Sequence, residues 1–177
     1  YRRQQYFNRC NILTSAGMQK LSIPVRKATR DTAVADIMPD GSRSWQRLHL
    51  RAMETAYGRS PYFLYFRDEL ARWMERSRSM SLGELNLASV RWLVDMVRLD
   101  RDVVPFSHLA HAFPGIPDHR RDFAPAFSLG KSRENPLVPY RQVFSEHMPF
   151  VPDLSVLDLL FNLGPELPAY LNAAAAR

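Results

Sequence analysis

Residues 4–26, QQYFNRCNILTSAGMQKLSIPVR, decide how the rest of the chain is read. Residues 4–14 are aromatic and β-branched enough for a strand. Residues 18–26 alternate apolar and polar, with Leu21, Ile23 and Val25 on one face. Between them stands Ser15-Ala16-Gly17, a short turn whose glycine permits positive φ. The stretch therefore reads as a β-hairpin. Pro24 cannot donate to a ladder, so the second strand should be an edge or a bulge there. Along the first strand Tyr6, Asn8 and Cys10 should share one face, and Phe7, Arg9 and Asn11 the other.

Residues 33–38, AVADIM, read as a third strand, and helices follow. Ser44 is placed to cap a helix carrying Trp45, Leu48, Ala52 and Ala56 and stopped by Gly58. Ser60-Pro61 has the form of a second start, with the stripe Phe63, Phe66, Leu70 and Trp73 behind it. Ser81 with Glu84 three residues on makes a capping box for a third helix bearing Leu85, Ala88, Trp92, Met96 and Leu99. Residues 103–152 change character. They hold eight of the 13 prolines and four of the five histidines, as a functional or mobile loop would. Short strands are expected near Val103-Val104 and Val143-Phe144. Ser155 then caps a short helix stopped by Gly164, and Pro165 opens a last one. Strands and helices thus come in runs. The expected fold is α+β, with an N-terminal β-hairpin in a mixed or antiparallel sheet, a helical middle and short C-terminal helices.

A chain of 177 residues fits one domain, 1–177, able to bury a core without disulfides or metal. Cys10 is the single cysteine, which suits a reducing, cytoplasmic compartment. No apolar run approaches the ~20 residues of a membrane span. The chain opens at Tyr1, inside what reads as a strand, so it reads as N-terminally truncated. Lys and Arg outnumber Asp and Glu by 24 to 18, a net charge of +6. The cations are spread along the chain, which disfavours nucleic-acid binding and reads first as a solvated face, with an anion site as the sharper alternative.

No phosphate loop, cysteine pair or nucleophile elbow is present, so no cofactor and no metal are expected. His108 and His111, with His119 nearby, have a spacing that could ligate metal only on a helix, which Pro105 and Pro114 oppose. Cys10 beside Arg9 could be an activated nucleophile, although a lone strand cysteine is more often a small buried hydrophobe. His49, one turn after Trp45, either satisfies a core hydrogen bond or faces a cleft as an acid or base.

Several blocks resemble the WbqC-like proteins of bacteria. These are QQYFNRCNI with Gly17 and LSIPV, then WQRLH with Ala56-Tyr57 and SPYF, then YRQVF and PFVPDLSVLDLLFNLGPE. Asp153 stands where that family often has asparagine, Cys10 at a position not always cysteine, and the family usually has a further segment before the first block. The resemblance implies a role in O-antigen or surface polysaccharide biosynthesis: transfer of glycine or an acyl-glycine group to an amino sugar. The partners it implies are a nucleotide-linked amino sugar and an aminoacyl donor, with self-association left open. It brings no agreed catalytic residues. Chemistry then selects His49 as base and Asn8, Arg9, Trp45, Arg51, Gln142 and Asn162 as substrate-binding groups. Arg9 would lay its stem beside Phe7 and present its guanidinium at the rim, or else pair with Asp36. The alternative is a non-catalytic binding or assembly protein of a cell-envelope pathway, marked by an exposed aromatic patch.

Overall fold

A computed structural model describes residues 6–27, 29, 31–42, 44–105 and 138–175. The hairpin is there as two antiparallel strands, β1 (Arg9–Thr14) and β2 (Gly17–Ser22), with Thr14 opposite Gly17 and Arg9 opposite Ser22. Gly17 has φ +101°, so the two-residue loop closes on a backbone that other residues rarely adopt. Thr14 Oγ1 donates to the Gly17 carbonyl at 2.8 Å and holds the turn from the side.

Among the described residues five helices follow: α1 (Trp45–Tyr57), α2 (Phe63–Arg76), α3 (Leu82–Met96), α4 (Val156–Leu163) and α5 (Leu167–Ala175). The architecture is an N-terminal hairpin, a helical middle and short C-terminal helices. The core lies where the hairpin meets α1, α2 and α4. Tyr57, Phe63 and Phe161 meet there, with ring centroids 5.1 and 5.0 Å apart. Each such pair adds about 1 kcal/mol beyond the area it buries. The open edge of β1 is covered from two sides. Tyr57 OH accepts from Leu13 N at 3.0 Å, and Ser155 N donates to the Asn11 carbonyl at 2.8 Å. Asn11, Ile12 and Leu13 are consecutively buried for that reason, where a half-exposed strand would alternate.

Local departures from the sequence reading have tertiary causes. The first strand starts at Arg9, because Tyr6–Asn8 form a 3₁₀ turn. The two-faced alternation expected of residues 6–11 therefore fails before Arg9. The second strand ends at Ser22, short of Pro24. Residues 24–26 instead meet 38–40 through one antiparallel bridge, in which the Pro24 carbonyl accepts from Asp40 N at 2.8 Å. The expected third strand at 33–38 is a 3₁₀ turn, Val34–Asp36. The Ile37 carbonyl is taken by Leu82 N at the start of α3, at 2.7 Å, and Ala35 lies so close to Gly83 that a side chain there would collide with it.

The capping box is complete: Ser81 Oγ accepts from Glu84 N, and Glu84 Oε2 accepts from Ser81 N. Ser155 caps α4, and Gly164 ends it at φ +51°, where a Cβ would fall on the Tyr62 ring. Ser44 makes no side-chain cap bond, and α2 starts at Phe63 with Ser60 buried in the turn before it. Leu48 is 59% exposed and lies off the buried face of α1, which is carried by Trp45, Met53, Ala56 and Tyr57. Met74 takes the buried place expected for Trp73. No strand forms at Val103-Val104 or Val143-Phe144. The Val103 carbonyl accepts from Arg91 Nε and Nη2, and residues 143–147 form a turn closed by Met148 N to the Phe144 carbonyl.

Candidate functional site

Where the hairpin, α1, α2, α3 and the start of α4 fail to close on one another, they leave a cavity of about 220 Å³. Arg9, Trp45 and His49, three of the sequence-predicted site residues, all line it. Trp45 is buried, and its ring meets the His49 imidazole edge-on with centroids 5.2 Å apart. His49 Nε2 lies 3.1 Å from the Ser22 carbonyl. A carbonyl can only accept, so the bond puts the proton on Nε2 and leaves Nδ1 as the basic nitrogen. Burial lowers the His49 pKa, and the Ser22 bond offsets part of that. The imidazole is therefore neutral at pH 7, the form a general base needs.

Cys10 lines the same cavity, but its environment does not make a thiolate. Burial pushes its pKa up to about 11, and the Ser155 side chain offsets only part of this. The expectation that Arg9 would activate it fails for this reason. Asn8 is fastened to the hairpin: its Nδ2 donates to the Ile23 carbonyl at 2.9 Å, and its own carbonyl accepts from Ile23 N at 2.8 Å. It stands beside the cavity without lining it.

Gln142 and Asn162 belong to a different place. Both surround Asp158, a fully buried carboxylate on α4. Tyr140 OH donates to Asp158 Oδ2 at 2.6 Å, and Gln142 Nε2 reaches the same oxygen at 3.3 Å. Gln142 also makes a two-way pair with the Val151 backbone, at 2.8 and 2.9 Å. Asn162 Nδ2 donates to the Asp158 carbonyl at 2.7 Å, one turn back on its own helix. Burial raises the Asp158 pKa, and the surrounding donors oppose the rise. Tyr57 and Tyr140 have raised pKa values, first from burial and then from the Asp158 charge. Sequence reasoning missed Asp158, Tyr140 and Tyr57. The signal was an acid in the middle of an otherwise apolar run, VLDLLFNL, where a carboxylate must find partners.

Arg51 is separate again. It lines an open groove of about 770 Å³ on the far side of α1, together with Arg59, Thr14 and Phe144. The seven selected residues thus divide into three at the cavity, two at Asp158, one in the groove and Asn8 in the hairpin ladder. His108, His111 and His119 lie outside the described residues. Among the described residues no group of three or more His, Cys, Asp or Glu is placed to hold a metal ion. No helix among them is long and apolar enough to cross a membrane.

The model of the WbqC-like protein family matches residues 1–115. The chain belongs to the WbqC-like family. The matched stretch carries the hairpin and α1–α3, and with them every wall of the cavity except Ser155, Val156 and Leu157. The chain is also similar to a protein of Mycobacterium tuberculosis (strain ATCC 25618 / H37Rv) described as uncharacterized protein Rv1507c. The two are 24% identical over 203 residues, covering 97% of this chain and 84% of that one. No solved structure matches. The structure also accounts for one departure from the WbqC-like pattern. Asp153 has φ +58°, a left-handed backbone that aspartate and asparagine enter more readily than most residues, so either can stand there.

Proposed function

We propose that this chain transfers an acyl or aminoacyl group to an amine, with His49 as the proton acceptor. In keeping with the family resemblance, the acceptor is an amino sugar of a surface polysaccharide and the donated group is glycine or an acyl-glycine. The observation that carries the reading is His49: a neutral imidazole with Nδ1 basic, on the wall of a cavity that also presents an arginine. In the reaction the amine nitrogen bonds to the acyl carbonyl carbon. His49 Nδ1 takes the proton that the nitrogen loses, the bond to the leaving group breaks, and the proton passes to that group. Arg9 lines the same cavity and is the residue we assign to face the developing oxyanion.

The test is product analysis by mass spectrometry with glycyl and acyl-glycyl thioesters and nucleotide-linked amino sugars. His49→Gln should lower turnover by about 10²–10⁴-fold in a folded protein. Unchanged turnover in that variant would remove His49 from the mechanism.

A second reading has its own observation. Leu64 and Tyr65 are neighbours on α2 and are 73% and 77% exposed. Adjacent apolar side chains left in water suit a binding or assembly protein of a cell-envelope pathway. Should Leu64→Ser/Tyr65→Ser leave turnover intact, the patch is not part of the chemistry.

A further inference from the structure

The groove on the far side of α1 has a chemistry that the transfer reading leaves unused. Leu48, Arg51 and Thr55 recur at helical spacing along α1 and line it, with Arg59 just past the helix end. Ser15 and Gln19 of the hairpin and Phe144 stand in the same lining. Arg51 and Arg59 are exposed, and among the described residues neither guanidinium has a partner in the fold. On α2, by contrast, Arg67, Arg72 and Arg76 each hold a carboxylate, at 2.7, 2.7 and 2.8 Å. Glu54 is the one acid in the groove's lining, and its Oε1 already accepts from Arg67 Nε at 2.8 Å. The groove therefore presents two cations and no uncompensated acid, and a concave surface of one sign concentrates its field on an ion of the other. Arg51 and Arg59 are eight residues apart, which is about 12 Å along a helix. That separation suits an anion with two charged centres better than one compact phosphate. Beside the cations, Leu48 is 59% exposed and Phe144 is half-buried, so apolar surface adjoins the charge. At about 770 Å³ the groove has the size that takes a whole small molecule.

We propose that this groove is a second binding site, for a diphosphate ester. The diphosphate lies between Arg51 and Arg59, whose guanidinium forks match phosphate oxygens, and the organic group rests on Leu48 and Phe144. A planar nucleoside and an aliphatic prenyl chain both suit that apolar surface, and the diphosphate is the chemistry they share. The groove and the His49 cavity are separate spaces, so the proposal does not rest on the transfer reading.

The test is isothermal titration calorimetry on the full chain at low ionic strength, and it needs no turnover. The probes are inorganic phosphate, pyrophosphate, uridine, uridine diphosphate and geranyl diphosphate. At least one of the two esters should bind saturably, and roughly tenfold or more tighter than inorganic phosphate. Tighter uridine diphosphate assigns a nucleoside to the apolar surface, and tighter geranyl diphosphate assigns a prenyl chain. Added salt should weaken either. Arg51→Gln and Arg59→Gln should each weaken the bound ester roughly tenfold or more. Both side chains are exposed, so the melting temperature should stay put. Lys20→Gln is the control. It removes the same charge from an exposed residue beside Gln19 that does not line the groove, and it should leave affinity within about twofold. The proposal is overturned if neither ester binds, if uridine binds as tightly as its diphosphate and geranyl diphosphate does not bind, or if inorganic phosphate equals both esters. A loss in Lys20→Gln as large as in Arg51→Gln overturns it as well, because the attraction is then diffuse. A protein that binds a diphosphate ester but transfers nothing keeps this site and loses the catalytic reading, so the two failures are distinguishable.

Discussion

Asp158 and His49 are both titratable groups set among apolar neighbours, a helix and a hairpin apart, and the fold treats them in opposite ways. Around Asp158 the chain supplies two donors to Oδ2, Tyr140 and Gln142 from the segment before α4, and Asn162 of α4 itself bonds the Asp158 backbone carbonyl. The carboxylate is fully buried, and Tyr57 beside it reaches onward to Leu13 of β1. The network ties α1, the hairpin and the C-terminal segment together. Around His49 the chain supplies one bond, from Nε2 to the Ser22 carbonyl, and then leaves a cavity. A buried polar group surrounded by partners specifies structure, whereas one left with a single bond beside an empty volume is available to a ligand. Gln142 and Asn162 illustrate the difference. As residue types they suit substrate binding, but here their side-chain amides are engaged within the protein.

The largest expected effect breaks the structural side of this comparison. Asp158→Ala leaves the half-buried Tyr140 hydroxyl and the buried Gln142 amide without their shared acceptor, and should cost about 2–4 kcal/mol, as leaving buried donors unsatisfied does. Urea unfolding measures it. A cost below about 1 kcal/mol would show that the network contributes little. The milder Asp158→Asn probes its titration. The folded pKa is raised above the ordinary 3.8, so the folded state binds the proton more tightly than the unfolded chain. The stability this supplies is fully present below 3.8 and is lost as pH rises through the folded value. Asp158→Asn should flatten that part of the stability profile.

Next in size is His49→Gln, which sharpens the functional side. Beyond the loss of turnover, it should change stability at pH 7 by about 1–2 kcal/mol, because the fold contacts at stake among the described residues are one hydrogen bond and the edge-on contact with Trp45. The folded pKa lies below 6.5, so the unfolded chain takes up a proton that the folded one resists. Stability from this source is present above 6.5 and falls as pH drops through the folded value. The wild type should lose stability in that window and His49→Gln should not. An equal loss in both would place the titrating group elsewhere.

What the sequence reveals follows the same division between local and distant causes. Gly17, the Ser81–Glu84 box, Ser155 and Gly164 all act within four residues of themselves, and each stands where its chemistry puts it. The 33–38 segment and the Ser60 start depend on partners far along the chain. Ile37 gives its carbonyl to Leu82, and Tyr62 N donates to the Phe161 carbonyl, which seats the entry to α2 against α4. No pattern within either segment encodes those partners. The same holds for the candidate site. Trp45 and His49 are one helical turn apart and could be paired from spacing, while the meeting of Gln142 and Asn162 on Asp158 needs the fold.

The smallest expected effect concerns Cys10, which lies between the two regions: it lines the cavity, and it is partly buried beside Ser155 at the head of α4. If the cavity used it as a nucleophile, the fold would have to stabilise the thiolate. It does the reverse, since burial raises the pKa from 9.0 to about 11. At pH 8 only about one molecule in a thousand then carries the thiolate, the form that reacts. Alkylation by iodoacetamide should be correspondingly slow in the folded protein and should accelerate on unfolding in urea. Its rate should keep climbing with pH well past 9. The linkage has a matching sign. Stability from the protonated thiol is intact below 9 and is lost as pH rises through about 11, a loss that Cys10→Ala should remove. The substitution itself should cost about 1 kcal/mol, as a typical point mutant does, and leave turnover unchanged. Rapid alkylation at pH 8, or an inactive but folded Cys10→Ala, would move Cys10 to the functional side and replace His49-assisted direct transfer with a covalent thioester intermediate.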